Sequence, residues 1–338
     1  SRRKFLKKSI IIPSIIILPR HVLGGKGYTS PSDKLNIAGI GVRKWGMGSG
    51  NLSNCETENI VALCDVDHKL SAETFNKYPK AKVYKDFRVM LETQKDIDAV
   101  IVATPDHTHA IISMMSIKLG KHVFCQKPLT HTVYEARVIT ETARKYKVQT
   151  QMGNQGRSSE EIRRLKEWID DGAIGPVRKV YAWTDRPVGG NPWDTFDAKA
   201  KPKEKPPIPK DLDWDLWLGP AKYRNYHPSY HPNSWRAWID FGTGSMGDMG
   251  CHIIDPSFYA LELGAPSEIQ ATSTHWIPEV ESQTYPSASI VRMKFPKRGN
   301  HPELELTWSD GRILPPIPEE FKDTDKFTLS GAMIIGDK

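Results

Sequence analysis

The sequence of 338 residues predicts an α/β protein with two domains, the first a doubly wound parallel sheet and the second a separate α/β domain. From Lys34 onward, short apolar runs alternate with segments of helical periodicity, which is typical of parallel strands covered by helices on both faces. After about Arg157 this alternation gives way to a Pro-rich stretch and later strand-like segments. Because a single core usually stops growing near ~250 to 300 residues, two domains are expected.

The first part contains six candidate strands, which are short runs rich in Val, Ile and Ala. They are residues 35–40, 59–64, a weaker run near Val83, 99–103, 122–125 and 148–152. Three segments between them have apolar residues at helical spacing: 70–78, 109–119 and 132–146. Pairs of a hydroxyl and a carboxylate three residues apart, Thr132 with Glu135 and Ser158 with Glu161, predict the starts of two helices.

The second part contains later segments that alternate polar and apolar residues as strands do, namely 288–295, 303–308 and 327–335. Residues 191–220, rich in Pro, Lys, Asp and Trp, are predicted to be a long irregular excursion and not a packed element. We place the first domain at residues 33–155 and the second domain at 156–338. Since the last residues, GAMIIGDK, are strand-like almost to the end, we expect the second domain to be incomplete there.

The N-terminal segment, residues 1–30, is basic and contains seven of the 47 basic residues and no acidic residue. The rest of the chain is balanced against its 40 acidic residues, so the net charge of +7 does not indicate a nucleic-acid partner. Arg2 and Arg3, then an apolar stretch at residues 10–18, then small residues resemble a twin-arginine export signal. The apolar stretch is shorter than the ~20 residues that span a bilayer. We therefore expect a periplasmic or otherwise exported protein without stable membrane insertion.

The cysteines form no CxxC pair and have no metal-ligand spacing; they are Cys55, Cys64, Cys125 and Cys251. Cys64 and Cys125 lie in apolar strand-like runs, so we interpret them as small core residues and not as a disulfide. No metal site is predicted.

The first predicted strand runs into Gly39 and Gly41, and Gly46, Gly48 and Gly50 follow shortly after. In a nucleotide-binding βαβ unit, such glycines permit a tight turn and let the backbone approach a pyrophosphate. The spacing departs from GxGxxG because Lys44 stands at the third glycine's place. Asp65 ends the second strand about 20 residues beyond the glycines, where a carboxylate accepts hydrogen bonds from the adenosine ribose. This arrangement predicts NAD and disfavours NADP, whose 2′-phosphate would face the carboxylate.

Polar residues also follow the fourth and fifth predicted strands, as ATPDHTH at residues 103–109 and QKP at 126–128. Ligands bind beyond the carboxyl ends of the strands in a doubly wound sheet, so we expect both segments at one site. The predicted cofactor-binding residues are Gly39, Gly41, Gly46, Asp65, Thr104, Pro105, His107, Gln126 and Lys127.

A further cluster lies in GDMGCHIID, residues 247–255. If this segment is helical, Asp248 and His252 lie one turn apart on one face. A carboxylate can orient an imidazole and tune its basicity, as a general base near neutral pH requires. The same spacing also suits a metal pair, although no third ligand cluster is evident.

The ordered set GIG, CDVD, ATPDHTHA, CQKP and GDMGCHIID resembles the glucose-fructose oxidoreductase / inositol dehydrogenase (Gfo/Idh/MocA) family. The resemblance implies an N-terminal Rossmann domain and a C-terminal domain with a large open, mainly antiparallel sheet, often an oligomer interface, so a homo-oligomer is expected. Lys127 matches the lysine of the family's Glu-Lys-Pro motif, and Asp248 and His252 match its Asp-x-x-x-His pair. Gln126 stands where the family has glutamate, and the glycine loop is about two residues longer than the family pattern.

The resemblance implies hydride transfer between a sugar or polyol carbon and C4 of nicotinamide, with Lys127, Asp248 and His252 as catalytic residues. The expected substrate-binding residues are Asn154, Trp235, Arg236, Asp248 and His252. Free NAD is not expected outside the cytoplasm, so an exported protein would carry its cofactor bound. Two alternatives stay open: a glycosidase similar to the NAD-dependent family 109, which oxidises a sugar transiently and eliminates the aglycone, and a non-catalytic sugar-binding protein.

Overall fold

The computed structural model describes residues 30–44, 46–187, 202–274, 283–322 and 325–338. Nearly all of the predicted export signal, and residues 191–201 of the predicted excursion, lie outside these ranges. Among the described residues, no helix combines the length and apolar character that a membrane span requires.

The N-terminal domain contains a six-stranded sheet in the order β3-β2-β1-β4-β5-β6, with every neighbouring pair parallel. Its strands are β1 (Asn36–Ile40), β2 (Asn59–Cys64), β3 (Lys82–Tyr84), β4 (Ala99–Val102), β5 (His122–Gln126) and β6 (Thr150–Gly153). All six strand predictions are confirmed. The strand order reverses between β1 and β4, and ligands bind beside such a switch point in doubly wound folds.

Five helices connect these strands: α1 (Met47–Ser53), α2 (His68–Lys77), α3 (Phe87–Thr93), α4 (Asp106–Lys118) and α5 (Val133–Tyr146). The three predicted helices are confirmed, whereas α1 and α3 were not predicted, since seven residues give little periodicity. Thr132 and Glu135 form the predicted capping box at the start of α5. The second predicted box is wrong, because Ser158 ends a 3₁₀ turn and the next helix begins only at Glu160.

The core of this domain lies on both faces of the parallel sheet, which explains the near-continuous apolar strands. Val100, Val102 and Ala38 are fully buried at its centre. Cys64 and Cys125 are free thiols within the same core, as predicted.

The C-terminal domain contains a five-stranded sheet in the order β11-β7-β10-β9-β8. Its strands are β7 (Val177–Thr184), β8 (Glu268–Ser273), β9 (Ser289–Phe295), β10 (Leu304–Ser309) and β11 (Ser330–Gly336). Of the four strand pairs in the described residues, that of β7 with β10 is parallel and the other three are antiparallel. Helices α6 (Glu160–Asp170), α8 (Gly244–Ile253) and α9 (Asp255–Ala260) contribute to the core on one face, while every residue of β8 is exposed. The predicted helix around Asp248 is confirmed as α8.

Residues 202–241, which we call the aromatic lobe, form a separate core against the end of β2. The lobe contains the short helix α7 (Trp214–Leu218) and a cluster of buried apolar side chains: Leu212, Trp214, Trp217, Leu218, Tyr230, Trp235, Trp238 and Phe241. For residues 211–220 the prediction of an unpacked excursion is therefore wrong, whereas residues 202–210 are irregular and mostly exposed, as predicted. Trp214 and Trp217 stack at 4.6 Å, and aromatic area of this size stabilises packing despite the many prolines.

Candidate active site

A tight glycine turn follows β1 at the switch point of the parallel sheet. Gly41 has φ of +80°, and a Cβ there would lie 2.6 Å from the carbonyl oxygen of Ala103. A Cβ on Gly48 would lie 2.1 Å from the carbonyl oxygen of Gly41. Only glycine fits both positions without displacing the neighbouring backbone, and the turn therefore packs closely against the segment after β4 and the start of α1.

The structure divides the predicted glycines by role. Gly39 lies outside the cleft, and a Cβ there would meet Val42 and Leu52. Gly46 lines the cleft and precedes α1 as its N-cap, without a capping side chain. Gly48 lets α1 pack closely against the turn after β1, which is the role of the third glycine in the GxGxxG pattern. Because the loop is longer here, that role falls to a residue beyond Gly46.

Asp65, one of the predicted cofactor-binding residues, lines the cleft directly after β2. Its carboxylate accepts hydrogen bonds from the backbone N–H groups of Val42, at 2.8 Å, and Asp67, at 3.0 Å. Burial raises the pKa of Asp65 above its usual value, and these hydrogen bonds partly oppose that effect. The carboxylate is therefore held rigidly beside the glycine turn, where it has lone pairs left for a ribose.

The aromatic lobe covers this end of the cleft. Arg43 of the glycine loop donates to the carbonyl oxygen of Pro232 at 3.1 Å and to Oδ1 of Asn233 at 2.6 Å. His231 contacts Oδ2 of Asp67, just after β2, at 3.0 Å. The resulting cleft has a volume of about 500 Å³, which lies in the range of small-molecule and cofactor sites.

The segment after β4 contributes Thr104 and Pro105 to the cleft, as predicted. His107 does not reach the cleft, which corrects its prediction as a cofactor-binding residue. It is 3% exposed, its Nε2 lies 3.1 Å from the carbonyl oxygen of Trp217, and its ring packs against Trp217 and Phe241. Burial lowers the pKa of His107 to about 4, so this imidazole is neutral at ordinary pH. The aromatic lobe, which the sequence did not reveal as packed, takes this side chain into its own core.

Gln126 lies at the end of β5, where it is buried and lines the cleft. Its Nε2 donates to Oδ1 of Asn51 at 2.7 Å, and Gly153 of β6 leaves the space for its carboxamide. Its Oε1 faces the backbone N–H of Lys127 at 3.4 Å. The carboxamide of Gln126 thus points towards α1. It approaches the backbone of Lys127 and not the ammonium group of that residue.

Lys127 and Asp248 meet across the two domains. The ammonium of Lys127 lies 2.5 Å from Oδ1 of Asp248 and 2.9 Å from its backbone carbonyl oxygen. Arg186 contacts Oδ2 of the same carboxylate at 2.7 Å, and Nε of Arg236 lies 3.4 Å from Oδ1. Burial alone would raise the pKa of Asp248, but Lys127, Arg236 and Arg186 lower it to about 2.

The predicted pairing of Asp248 with His252 is not formed, because both carboxylate oxygens contact these three cations. His252 is half-buried one turn along α8, outside the set of residues that line the cleft. Burial lowers the pKa of His252, the charges of Lys127 and Arg186 lower it further, and Asp248 acts in the opposite direction. His252 is therefore neutral at pH 7, with one ring nitrogen free of a proton, and it is a weaker base than an ordinary histidine.

Of the predicted substrate-binding residues, some line the cleft and others do not. Trp235 and Arg236 line the cleft, and the guanidinium lies 4.2 Å from the centre of the Trp235 ring. Asn154, just after β6, does not line the cleft, and its Oδ1 is buried without a partner. Arg186 was missed by sequence reasoning, since no local motif marks it; its proximity follows from the packing of β7 against α8.

Within the described residues, no three His, Cys, Asp or Glu side chains are grouped so that they could hold a metal ion. The parallel sheet with its glycine turn and the cleft lined by residues of both domains define the class: a two-domain, nucleotide-binding protein whose second domain completes the site.

Comparison with known proteins extends this description. The family profile described as "Oxidoreductase family, NAD-binding Rossmann fold" matches residues 35–154, and its partner, "Oxidoreductase family, C-terminal alpha/beta domain", matches residues 158–278. The chain belongs to the Gfo/Idh/MocA oxidoreductase family, and its N-terminal domain is an NAD-binding Rossmann domain.

Curated relatives include levoglucosan dehydrogenase of Pseudarthrobacter phenanthrenivorans, 25% identical over 221 residues, which are 64% of this chain and 46% of the relative. D-glucoside 3-dehydrogenase of Escherichia coli is 30% identical over 214 residues, 63% of this chain and 50% of the relative. The chain spans about half the length of the curated relatives it matches. Among solved structures, an inositol dehydrogenase homologue from Azotobacter vinelandii in complex with NAD+ has a TM-score of 0.63 at 18% identity. The match covers 90% of this chain and 69% of that one, and it shows that the two share a fold.

Proposed function

We propose that this protein is an NAD-dependent oxidoreductase acting on a sugar, a polyol or a glycoside. The observation that carries the proposal is the contact between Lys127 and Asp248 at the far end of a cleft that begins at the glycine turn and Asp65. Curated relatives are named as dehydrogenases of levoglucosan, D-glucosides and inositol, and these names support this class of substrate.

The residues present fit NAD. Gly41 and Gly46 line the cleft at the turn before α1, where a pyrophosphate would bind, and Gly48 lets α1 pack closely against that turn. Asp65 is placed for the adenosine ribose. When bound, NAD supplies an acceptor or donor of hydride at C4 of its nicotinamide ring. The carboxylate of Asp65 favours NAD over NADP, since a 2′-phosphate would be repelled.

Lys127 and His252 have complementary roles in this proposal. Lys127 donates a hydrogen bond from Nζ to the substrate oxygen and stabilises negative charge that develops there. His252 lies beyond the residues that line the cleft, one turn along α8 from Asp248, and its proposed role is to accept the hydroxyl proton at a ring nitrogen of an imidazole that its lowered pKa keeps neutral. Asp248 does not orient His252 but holds Lys127, Arg186 and Arg236 together around the reacting position.

The function is tested by incubating the purified protein with NAD and a panel of inositols, glucosides and anhydrosugars, and measuring NADH by absorbance. We expect oxidation of at least one substrate and a loss of at least about a hundredfold in kcat for Lys127→Met. Lys121→Met is the matched control, because within the described part of the chain that ammonium contacts the carbonyl oxygen of Lys95, at 2.9 Å, and lies at the opposite end of β5. Absence of both bound and bindable NAD would contradict the proposal and favour a non-catalytic sugar-binding protein.

A redox-neutral glycosidase is the second candidate, and the contacts of Arg43 with Pro232 and Asn233 favour it. They tie the aromatic lobe over the glycine loop, which favours a retained cofactor. A retained cofactor must return to its starting state in each cycle, as it does in transient oxidation and elimination. Incubation with a nitrophenyl glycoside without added cofactor distinguishes the two: phenol release without net NADH indicates the glycosidase.

Export through the twin-arginine route is part of the same proposal and is supported by Arg2, Arg3 and the apolar stretch that follows them. Residues 1–30 fused to a reporter should direct its export. Replacing both arginines by lysine should stop that export; continued export would contradict this route.

Association of two or more copies through the C-terminal sheet is also proposed. The exposed strand β8 supports it, and the side chain of Ile269 is 61% exposed. Light scattering on the purified protein should give a mass above that of one chain, and Ile269→Lys should reduce it.

A further inference from the structure

His109, on the first turn of α4, is 1% exposed and does not line the cleft. Its Nδ1 lies 2.8 Å from the carbonyl oxygen of Pro128, and its Nε2 lies 2.8 Å from the carbonyl oxygen of Thr104. A carbonyl oxygen only accepts hydrogen bonds, and a neutral imidazole has one N–H group. Both contacts are satisfied only if both ring nitrogens bear a hydrogen, that is, if His109 is an imidazolium.

The surroundings of His109 stabilise such a charge. Asp106, three residues earlier on α4, is a buried carboxylate whose Oδ2 accepts from Thr243 at 2.8 Å. Cys125 of β5 and the neutral ring of His107 on α4 are the other titratable groups nearby. Burial by itself lowers the pKa of His109, but the effects of Cys125, Asp106 and the Pro128 carbonyl together raise it to about 9.

The two carbonyl groups belong to the segments that build the active site. Thr104 follows β4 and lines the cleft, and Pro128 comes directly after Lys127. These strands are neighbours in the sheet, but their ladder ends at the pair Val102 and Cys125. Beyond that pair, His109 joins the two segments through its side chain.

We propose that His109 is a charged bridge that ties the segment after β4 to the segment after β5 and so positions Lys127 against Asp248. It is a positioning residue, since it contacts neither the cleft nor the ion pair. Without the second N–H, a ring lone pair would face a carbonyl oxygen at 2.8 Å, and the two segments would separate. The catalytic part of this inference rests on the proposed function, whereas the charge on His109 does not.

The charge is tested by NMR of the intact protein labelled with ¹⁵N-histidine, at about pH 8, where an ordinary histidine is neutral. We expect one histidine with both ring nitrogens protonated, and that signal should be missing from His109→Gln. His107 is an internal contrast, because it is equally buried on the same helix and its pKa is lowered to about 4. A neutral ring at His109 overturns the inference, even in a protein that oxidises no sugar.

The positioning role is tested by the kinetics of His109→Gln with a substrate found by the panel. We expect kcat to fall by about tenfold to a hundredfold through displacement of Lys127, with the Kd for NAD changed less than about twofold. Ser113→Ala is the matched control, since it removes a fully buried hydroxyl from the same helix away from the site. An unchanged kcat in a folded His109→Gln protein, or an equal fall in the control, overturns the positioning role.

Discussion

Lys127 and Asp248 are 121 positions apart in the chain, and their side chains approach to 2.5 Å between Nζ and Oδ1. Lys127 follows β5 of the parallel sheet, and Asp248 lies on α8 of the second domain. The same carboxylate contacts Arg186 and lies close to Arg236. One buried anion thus pairs with three cations, and it joins the end of the cofactor domain to the domain that completes the cleft.

Replacing Asp248 by asparagine should be far more damaging than its small change in volume suggests. The variant leaves three cations together in a largely buried place, so we expect a loss of about 3 kcal/mol in the free energy of unfolding. Turnover should fall by at least about a hundredfold, because Lys127 loses its fixed position. Urea denaturation and steady-state kinetics check both effects.

Asp170→Asn is the matched control for this variant. Asp170 contacts Lys166 at 3.1 Å on the surface of α6, and its side chain is 50% exposed. An exposed pair of this kind contributes about 0.5 kcal/mol or less. If Asp248→Asn and Asp170→Asn lose the same small stability, the ion cluster does not tie the domains together.

The stability of the protein should depend on pH through Asp248. Its folded-state pKa of about 2 lies below the usual value, so its contribution is present above pH ~4 and is lost as the pH falls towards 2. A shift of this size corresponds to about 2 kcal/mol. Urea denaturation at a series of acidic pH values should show this loss, and Asp248→Asn should lack that part of it.

Gly48→Ala should weaken NAD binding by at least about tenfold, because its Cβ would lie 2.1 Å from the carbonyl oxygen of Gly41 and displace the turn. Gly50→Ala is the control on the same helix, since a Cβ there meets no atom within 4 Å. Calorimetric titration with NAD compares the two. Equal affinities would show that the turn does not hold the cofactor.

Gln126→Glu should shift the acidic limb of the pH profile of turnover to higher pH. The change adds a buried negative charge beside Lys127, which favours the protonated forms of groups in the site. Asn51 can turn its amide to donate to the new carboxylate in place of the contact seen at 2.7 Å. Gln151→Glu, on the exposed part of β6, is the control. An unchanged pH profile for Gln126→Glu would mean that residue 126 does not tune the site.

Much of the fold could be predicted because its signals are local. Apolar runs of four to six residues marked β1, β2, β4 and β5, and the Thr132 capping box marked the start of α5. The carboxyl ends of parallel strands share one edge, so Asp65, Thr104 and Lys127 could be expected near one site before any contact was known. The C-terminal sheet was harder, since β7 and β8 have no clear alternation and are paired by distant strands.

The sequence by itself thus determined the parallel sheet and the glycine turn, and it marked Lys127, Asp248 and His252 as candidate site residues, since each of these signals comes from residues close together in the chain. The tertiary structure alone decided the partners of these side chains. It brings Arg186 to Asp248 across 62 positions, gives the third glycine's role to Gly48 and removes His107 from the cleft. The physical reason is that a buried charge or ring takes its partners from whatever elements pack against it, and that packing is set by long-range contacts that no local pattern contains.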